Sequence, residues 1–307
     1  AVLSFTAGLY LIFFEDALHA RNEVPILSDL NFAGLAIVLM IEITRRVAGY
    51  VIPILAVGFL GYALGLGTYL SGLWKFPGVT LERMLYRMYF APDGIFGNIA
   101  TISSTFVFLF VLFAAFLLQS GAGNFIIRLS LALMGRMTGG PAKMAVFASG
   151  LMGSISGSAV ANTVGTGSIT IPLMKKVGLK PQFAGGVEAA ASTGGQLLPP
   201  IMGAGAFIMS QWTQIPYLTI VGVATIPAIM YFLTIAFFIH LRAKRRRLEI
   251  LSYDEMPDLK QVFKEGWNFV VPIAVLIIFL LKGYTPTYAA CAGILAIVVS
   301  SWINPHT

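Results

Sequence analysis

The chain has 307 residues, 57% of them hydrophobic and 11% charged, with a formal net charge of +7. A soluble domain carries roughly a quarter charged residues, so this composition, with a mean hydropathy of +0.84, excludes a water-soluble globular protein. The positive charge does not point to a nucleic-acid partner, because the basic residues sit beside the ends of apolar runs, as the positive-inside rule expects of a protein in a lipid bilayer.

Strands of a membrane barrel alternate apolar and polar residues over about ten positions. Here the apolar runs are long and continuous, so the expected fold is an all-α, multi-span helical membrane bundle. The first run, 1–14, reads as the end of a helix, and the acidic stretch "EDALHARNEVPILSD" follows it. A second run, 30–44, stops at Arg45 and Arg46. Glu42 precedes Arg45 by three residues on one helix, which predicts a local ion pair. A third run covers 47–71 and contains Pro53. Residues 72–97 include "TLERMLYRMYF", whose charges and aromatics suit an amphipathic helix at the membrane interface. The fourth span is 98–120, and 122–136, "AGNFIIRLSLALMGR", again reads as interfacial, with Arg128 and Arg136 on its wet side.

Next come the small-residue stretch 141–176, a glycine-interrupted span at 183–213 and a span at 215–241 that stops at "RAKRRR". Residues 248–266 form a mixed-charge loop with Asp254, Glu255 and Asp258, and the runs 267–282 and 287–303 complete the chain. This divides it into scaffold helices at 1–97, a first transport-type repeat at 98–241, a cytoplasmic loop at 242–266 and two further helices at 267–307. The single cysteine, Cys291, excludes an internal disulfide, and His19, His240 and His306 lie far apart, so no metal centre or cofactor is expected. No cleavable signal peptide is visible. The chain starts on an apolar run without an initiator Met and ends directly after another, so both ends read as cut from a longer protein.

"RAKRRR" has five basic residues in six positions and belongs on the cytoplasmic side. Counting back through the spans places the turn at 213–216 outside, "KKVGLK" inside, Arg45 and Arg46 inside, and the acidic 15–29 loop outside. That parity holds only if 141–176 enters and leaves by one side, which makes it a re-entrant hairpin. Lys143 at one end and Lys175 and Lys176 at the other fit this.

Of the 22 residues from Ser149 to Thr170, thirteen are Gly, Ser or Thr. Each Gly costs a helix about 1 kcal/mol relative to Ala, so a poor continuous helix is expected. Irregular backbone at membrane depth is tolerated only against protein or a water-filled cavity. The hydroxyls of Ser156, Ser158, Thr163 and Thr166 are hard oxygen donors suited to a small cation, and with the Asn162 amide they can also hydrogen-bond a carboxylate. The competing reading is close helix packing through Gly150, Gly153 and Gly157. It accounts less well for the Asn and the dense hydroxyls.

In "EAAASTGGQLLPPIMGAG", Gly194-Gly195 followed by Pro199-Pro200 predicts a discontinuous helix, since Pro removes a donor and clashes with the preceding turn. A hairpin followed by a broken helix is the arrangement of a secondary transporter's binding site. Glu188 lies about 10 Å along its helix from Pro181. An acidic residue there is either functional or the hydrated partner of a nearby Lys or Arg. Enzyme signals are weak: "GSISG" lacks the G-x-S-x-G spacing, and no P-loop, HExxH or GxGxxG pattern appears.

The stretches "RMTGGPAKMAVFASGLMGSISGSAVANTVGTGSITIPLMKK" and "VEAAASTGGQLLPPIMGA", with the helix that follows, resemble the large membrane subunit of tripartite ATP-independent periplasmic (TRAP) transporters. The resemblance is best over 98–240, and "STGGQLLPP" is similar to the TAXI-type branch, in which small and large membrane subunits are fused. The helices at 1–44 would then be the small-subunit remnant. The resemblance implies an inverted-repeat, elevator-type permease of the bacterial inner membrane. It implies import of an organic acid by cation symport, usually with sodium, the acid being delivered by a periplasmic binding protein.

By position, Ser156, Ser158, Asn162 and Thr163 at the hairpin tip, with Ser192, Thr193 and Gly194 on the broken helix, match segments that form the cation site and substrate edge. Sodium would sit at Ser156, Asn162 and Thr193. Three departures matter. Asn162 stands where many relatives have Asp, Gln196 where many have Pro, and Glu188 where a small or hydroxyl residue is usual. The first removes a negative charge and the third adds a titratable group, so sodium and proton both remain as coupling ion, with Glu188 the candidate for the proton. The second hairpin and broken helix are absent, so the chain reads as the N-terminal part of a permease whose remainder is a further partner. Two readings from other classes stand beside this: an intramembrane serine hydrolase using Ser156, and a non-transporting membrane assembly subunit.

Overall fold

In the computed structural model, which describes residues 2–21, 24–246 and 256–303, every regular element is helical. The chain divides into two compact units, one ending at Thr101 and one beginning at Ile102.

The first unit holds α1 (Val2–Ala20), α2 (Leu27–Ala48), α3 (Val51–Leu64) and α4 (Leu81–Phe90). Its small core joins Ala7 and Tyr10 of α1, Ala33 and Ala36 of α2, and Tyr89 of α4. The Tyr89 hydroxyl donates to the Ala7 carbonyl. Asp29, almost fully buried, accepts from Tyr10 at 2.6 Å and from Arg21 at 2.8 Å. The expected third run is helical only over the 14 residues of α3, short of the roughly 20 that a span needs. A 3₁₀ turn at Leu66–Tyr69 takes over where Gly65 and Gly67 break the helix. The amphipathic helix expected within 72–97 is α4, capped by the Thr80 hydroxyl.

In the second unit, the end of α5 (Asn98–Ile102) leads into α6 (Phe108–Leu117) and α7 (Gly123–Met134). Wider π turns at Ser103–Val107 and Leu118–Ala122 join them, and a kink falls at Gly121. The non-helical Gly121, at φ 102°, thus falls at the boundary expected between 98–120 and 122–136. Then come α8 (Gly140–Ser156), α9 (Ala159–Lys176), α10 (Pro181–Gly195), α11 (Ala204–Thr213), α12 (Tyr217–Arg246), α13 (Leu259–Leu281) and α14 (Pro286–Ile303). One core packs Phe110, Phe113 and Leu117 of α6 with Phe207, Tyr217 and Leu276. The other packs Ala142, Ala145 and Val146 of α8 with Met174, Val187, Ala191 and Ile239. Helix α8 contributes to both and is buried along nearly its whole length.

Among the described residues, four helical segments are long and apolar enough to cross a membrane: Leu27–Ala48, Asn98–Met134, Tyr217–Arg246 and Leu259–Leu281. The loop residues Asp254 and Glu255, and His306, lie outside the described residues.

Candidate functional site

The small-residue stretch forms two helices, α8 and α9, joined by a two-residue turn at Gly157-Ser158. Helix persists far closer to the tip than the Gly and Ser content predicts. The reason is tertiary: small side chains let the backbones of neighbouring helices approach, and packing outweighs propensity. Gly157 closes the turn in the left-handed region at φ 62°, and a Cβ there would lie 2.5 Å from the Met202 carbonyl oxygen. Ser158 caps α9, its hydroxyl accepting from the Ala161 N–H at 3.3 Å.

Helix α10 stops at Gly195 and helix resumes at Ala204, so the expected interruption is present. Several of its freed backbone groups find partners within the protein, as membrane depth requires. The Ile201 N–H donates to the Ser154 carbonyl at 3.2 Å and the Gly203 N–H to the Gln196 carbonyl at 2.8 Å. The Tyr217 hydroxyl lies 3.0 Å from the Pro200 carbonyl and 2.6 Å from that of Ile201. The hairpin and the interruption are thus bonded to each other. They also touch directly, because a Cβ on Gly153 would fall 2.5 Å from the Cα of Gly195.

Between these elements lies a closed polar cluster around Glu188, which is 0% exposed. One carboxylate oxygen accepts from Ser149 of α8 at 2.6 Å, from Thr166 of α9 at 2.5 Å and from Ser192 of α10 at 3.2 Å. The other accepts from Thr170 of α9 at 2.5 Å. Ser149 and Thr166 are 2.9 Å apart. Asn162, one turn before Thr166, donates to the Ser149 carbonyl at 2.7 Å, while its own side-chain oxygen is buried without a partner. No Lys or Arg pairs with Glu188 among the described residues, so the hydrated ion pair is not its arrangement here. Each hydroxyl can donate or accept, and each Ser or Thr can fall back on a carbonyl of its own helix. Thr166 already reaches the Asn162 carbonyl at 2.8 Å. The shell can therefore rearrange around a carboxyl group with or without a proton.

Of the residues singled out from sequence, Asn162, Thr166, Ser192 and Glu188 come together in this cluster. Ser156, Ser158, Thr163, Thr193 and Gly194 lie about the tip and the break without joining it by hydrogen bonds. Ser156 ends α8 and its hydroxyl accepts from the Ser158 N–H at 3.4 Å. Thr163 donates to the Ala159 carbonyl and Thr193 to the Ala189 carbonyl, each at 2.8 Å within its own helix. Thr193 is exposed, and Gly194 makes room for the Tyr231 ring, which a Cβ would meet at 2.3 Å. Sequence reasoning missed Ser149 and Thr170 and placed Thr166 at the tip. The available signal was periodicity: Asn162, Thr166 and Thr170 recur every four residues on one face of α9, opposite Glu188 and Ser192 on α10.

Among the described residues no group of three or more His, Cys, Asp or Glu side chains could hold a metal ion. Among the described residues no hydrogen bond joins Ser156 to a histidine; the Nδ1 atom of His240 lies 3.2 Å from the Lys143 ammonium instead.

A family model described as the DctM component of the tripartite ATP-independent periplasmic transporter matches residues 35–306. The uncharacterized protein YgiK of Salmonella typhimurium is 28% identical over 246 residues, covering 79% of this chain and 54% of its own. The C4-dicarboxylate TRAP transporter large permease protein DctM of Vibrio cholerae is 27% identical over 256 residues, covering 82% and 54%. The 2,3-diketo-L-gulonate TRAP transporter large permease protein YiaN of Escherichia coli is 28% identical over 196 residues, covering 63% and 46%. The chain thus spans about half the length of the curated relatives it matches.

Proposed function

The chain belongs to the DctM-component family of TRAP transporters, and from that premise we propose that it takes part in importing an organic acid by cation symport, the acid being handed over by a periplasmic binding protein. It is a multi-pass protein of the bacterial inner membrane, with four segments among the described residues long and apolar enough to span it. The family match over 35–306 is the observation that carries the proposal. The names of two relatives, transporters of a C4-dicarboxylate and of 2,3-diketo-L-gulonate, support a carboxylate substrate. The match begins at residue 35, which supports reading α1 and the start of α2 as the small-subunit-like portion of a fused, TAXI-type permease.

In this reading α8 and α9 dip in from the cytoplasmic side, and the hairpin and α10 travel together in an elevator movement. Their contact at Gly153 and Gly195 and the Ile201–Ser154 hydrogen bond support a single moving body. The hydroxyls at Ser156, Ser158, Thr163 and Thr193, with Gly194 and the partnerless oxygen of Asn162, lie at the edge where a second set of elements would complete a cation and substrate site. Sodium at Ser156, Asn162 and Thr193 and a proton on Glu188 are the two coupling alternatives. Burial of Glu188 among hydroxyls, with no Lys or Arg partner among the described residues, supports its candidacy as the proton carrier.

The test is uptake of a labelled organic acid by the complete permease in proteoliposomes, with its binding protein present or omitted. A sodium gradient is imposed in one series and a proton gradient in the other. Uptake should require the binding protein; robust uptake without it would overturn the dependence on that partner, and no uptake under either gradient would overturn the transport reading. Glu188→Gln should abolish the proton-driven rate, and an unchanged rate would remove Glu188 from coupling while leaving the transport assignment in place.

A further inference from the structure

A groove of about 550 Å³ runs between α8 and α12, away from the Glu188 cluster. Its walls are apolar, with Phe147 and Leu151 on α8 facing Ile229, Leu233 and Phe237 on α12. The last three recur every four residues and are 48%, 63% and 63% exposed, so the groove is open along one side. Helix α12 is one of the membrane-length helices, and that apolar open side is suited to hydrocarbon. Two polar side chains line the groove, both at one end: the Lys143 ammonium and the Nδ1 atom of His240, 3.2 Å apart. Lys143 is only 9% exposed, and no carboxylate pairs with it among the described residues. Beyond His240 the helix turns basic, with Lys244, Arg245 and Arg246 in its last turn.

We propose that this groove holds one anionic phospholipid, its phosphate on Lys143 and His240 and an acyl chain lying along α12 toward Ile229. A buried ammonium is costly unless paired, and a phosphate supplies the missing anion. The stretch from Ile229 to His240 gives the chain about 16 Å, or three helical turns, of apolar seat. A water-soluble anion would leave that seat empty. The basic end of α12 draws anionic headgroups toward the same place. The transport reading uses neither Lys143 nor His240.

The experiment is to reconstitute the complete protein in nanodiscs of phosphatidylglycerol or of phosphatidylcholine, transfer it to detergent, and count retained lipids by native mass spectrometry. One phosphatidylglycerol should stay bound and phosphatidylcholine should not. Lys143→Gln should reduce retention about fivefold, the effect of one basic residue near an anionic lipid, and Lys143→Arg should restore it. Leu233→Trp, which fills the groove from an exposed position without touching the charge, should also reduce retention and keeps the test open if the Lys143 variants fail to fold. Equal retention in wild type, Lys143→Gln and Leu233→Trp would overturn the proposal. So would displacement of the lipid by millimolar inorganic phosphate, which would mark a free-anion site.

Discussion

Glu42 and Glu188 both sit on helices, and they are held in opposite ways. Glu42 finds its partners within its own helix: Arg45 chelates it through two contacts of 2.7 Å and Arg46 adds one of 2.8 Å, with the carboxylate 38% exposed. Glu188 is closed off from solvent and takes hydroxyls from α8, α9 and α10. An exposed acid can be satisfied by charge three or four residues away. A buried one here is satisfied by neutral dipoles from three helices. The first arrangement is local and says little about tertiary structure. The second fixes the lengthwise register of three helices.

This contrast can be broken or sharpened by substitution, read as thermal unfolding of the purified protein in detergent. Gly153→Val should have the largest effect, roughly 3 kcal/mol, because its Cβ must push α8 off the backbone of α10. Glu188→Ala should come next at roughly 2 kcal/mol, from the cavity and the orphaned hydroxyls, moderated by their retreat to carbonyls of their own helices. A wild-type melting temperature for Glu188→Ala would mean that the cluster does not tie the helices together. Thr170→Val removes the one described donor to the second carboxylate oxygen while nearly keeping shape, for an expected loss of about 1 kcal/mol. Glu42→Gln should leave the melting temperature unchanged, since exposed ion pairs contribute little. A clear drop there would erase the distinction between the two acids.

Much of the architecture was legible because it rests on local rules. Apolar runs gave the helices, the parity of basic residues called for a hairpin over 141–176, and the Gly-Gly and Pro-Pro pairs gave the interruption between α10 and α11. The end of α3 was misplaced because an apolar run does not reveal that Gly65 and Gly67 stop the helix. The site was half legible. Glu188, Asn162 and Ser192 stood out as polar residues in apolar surroundings. Ser149 and Thr170 did not, because attention to hydroxyl density at the tip obscured the four-residue spacing along α9. The approach of Lys143 to His240 joins residues 97 positions apart and depends on how α8 packs against α12, which no local pattern encodes.

The contact between Gly153 and Gly195 has a consequence for hydrogen exchange. Where two helices meet backbone to backbone, no side chain can swing aside to admit water. The amides of both helices there are exposed only if the pair separates. The amides from Ser149 to Gly153 and from Ala191 to Gly195 should therefore exchange slowly and with one common rate, while those of the outward face of α9, around Val164 and Ser168, exchange sooner.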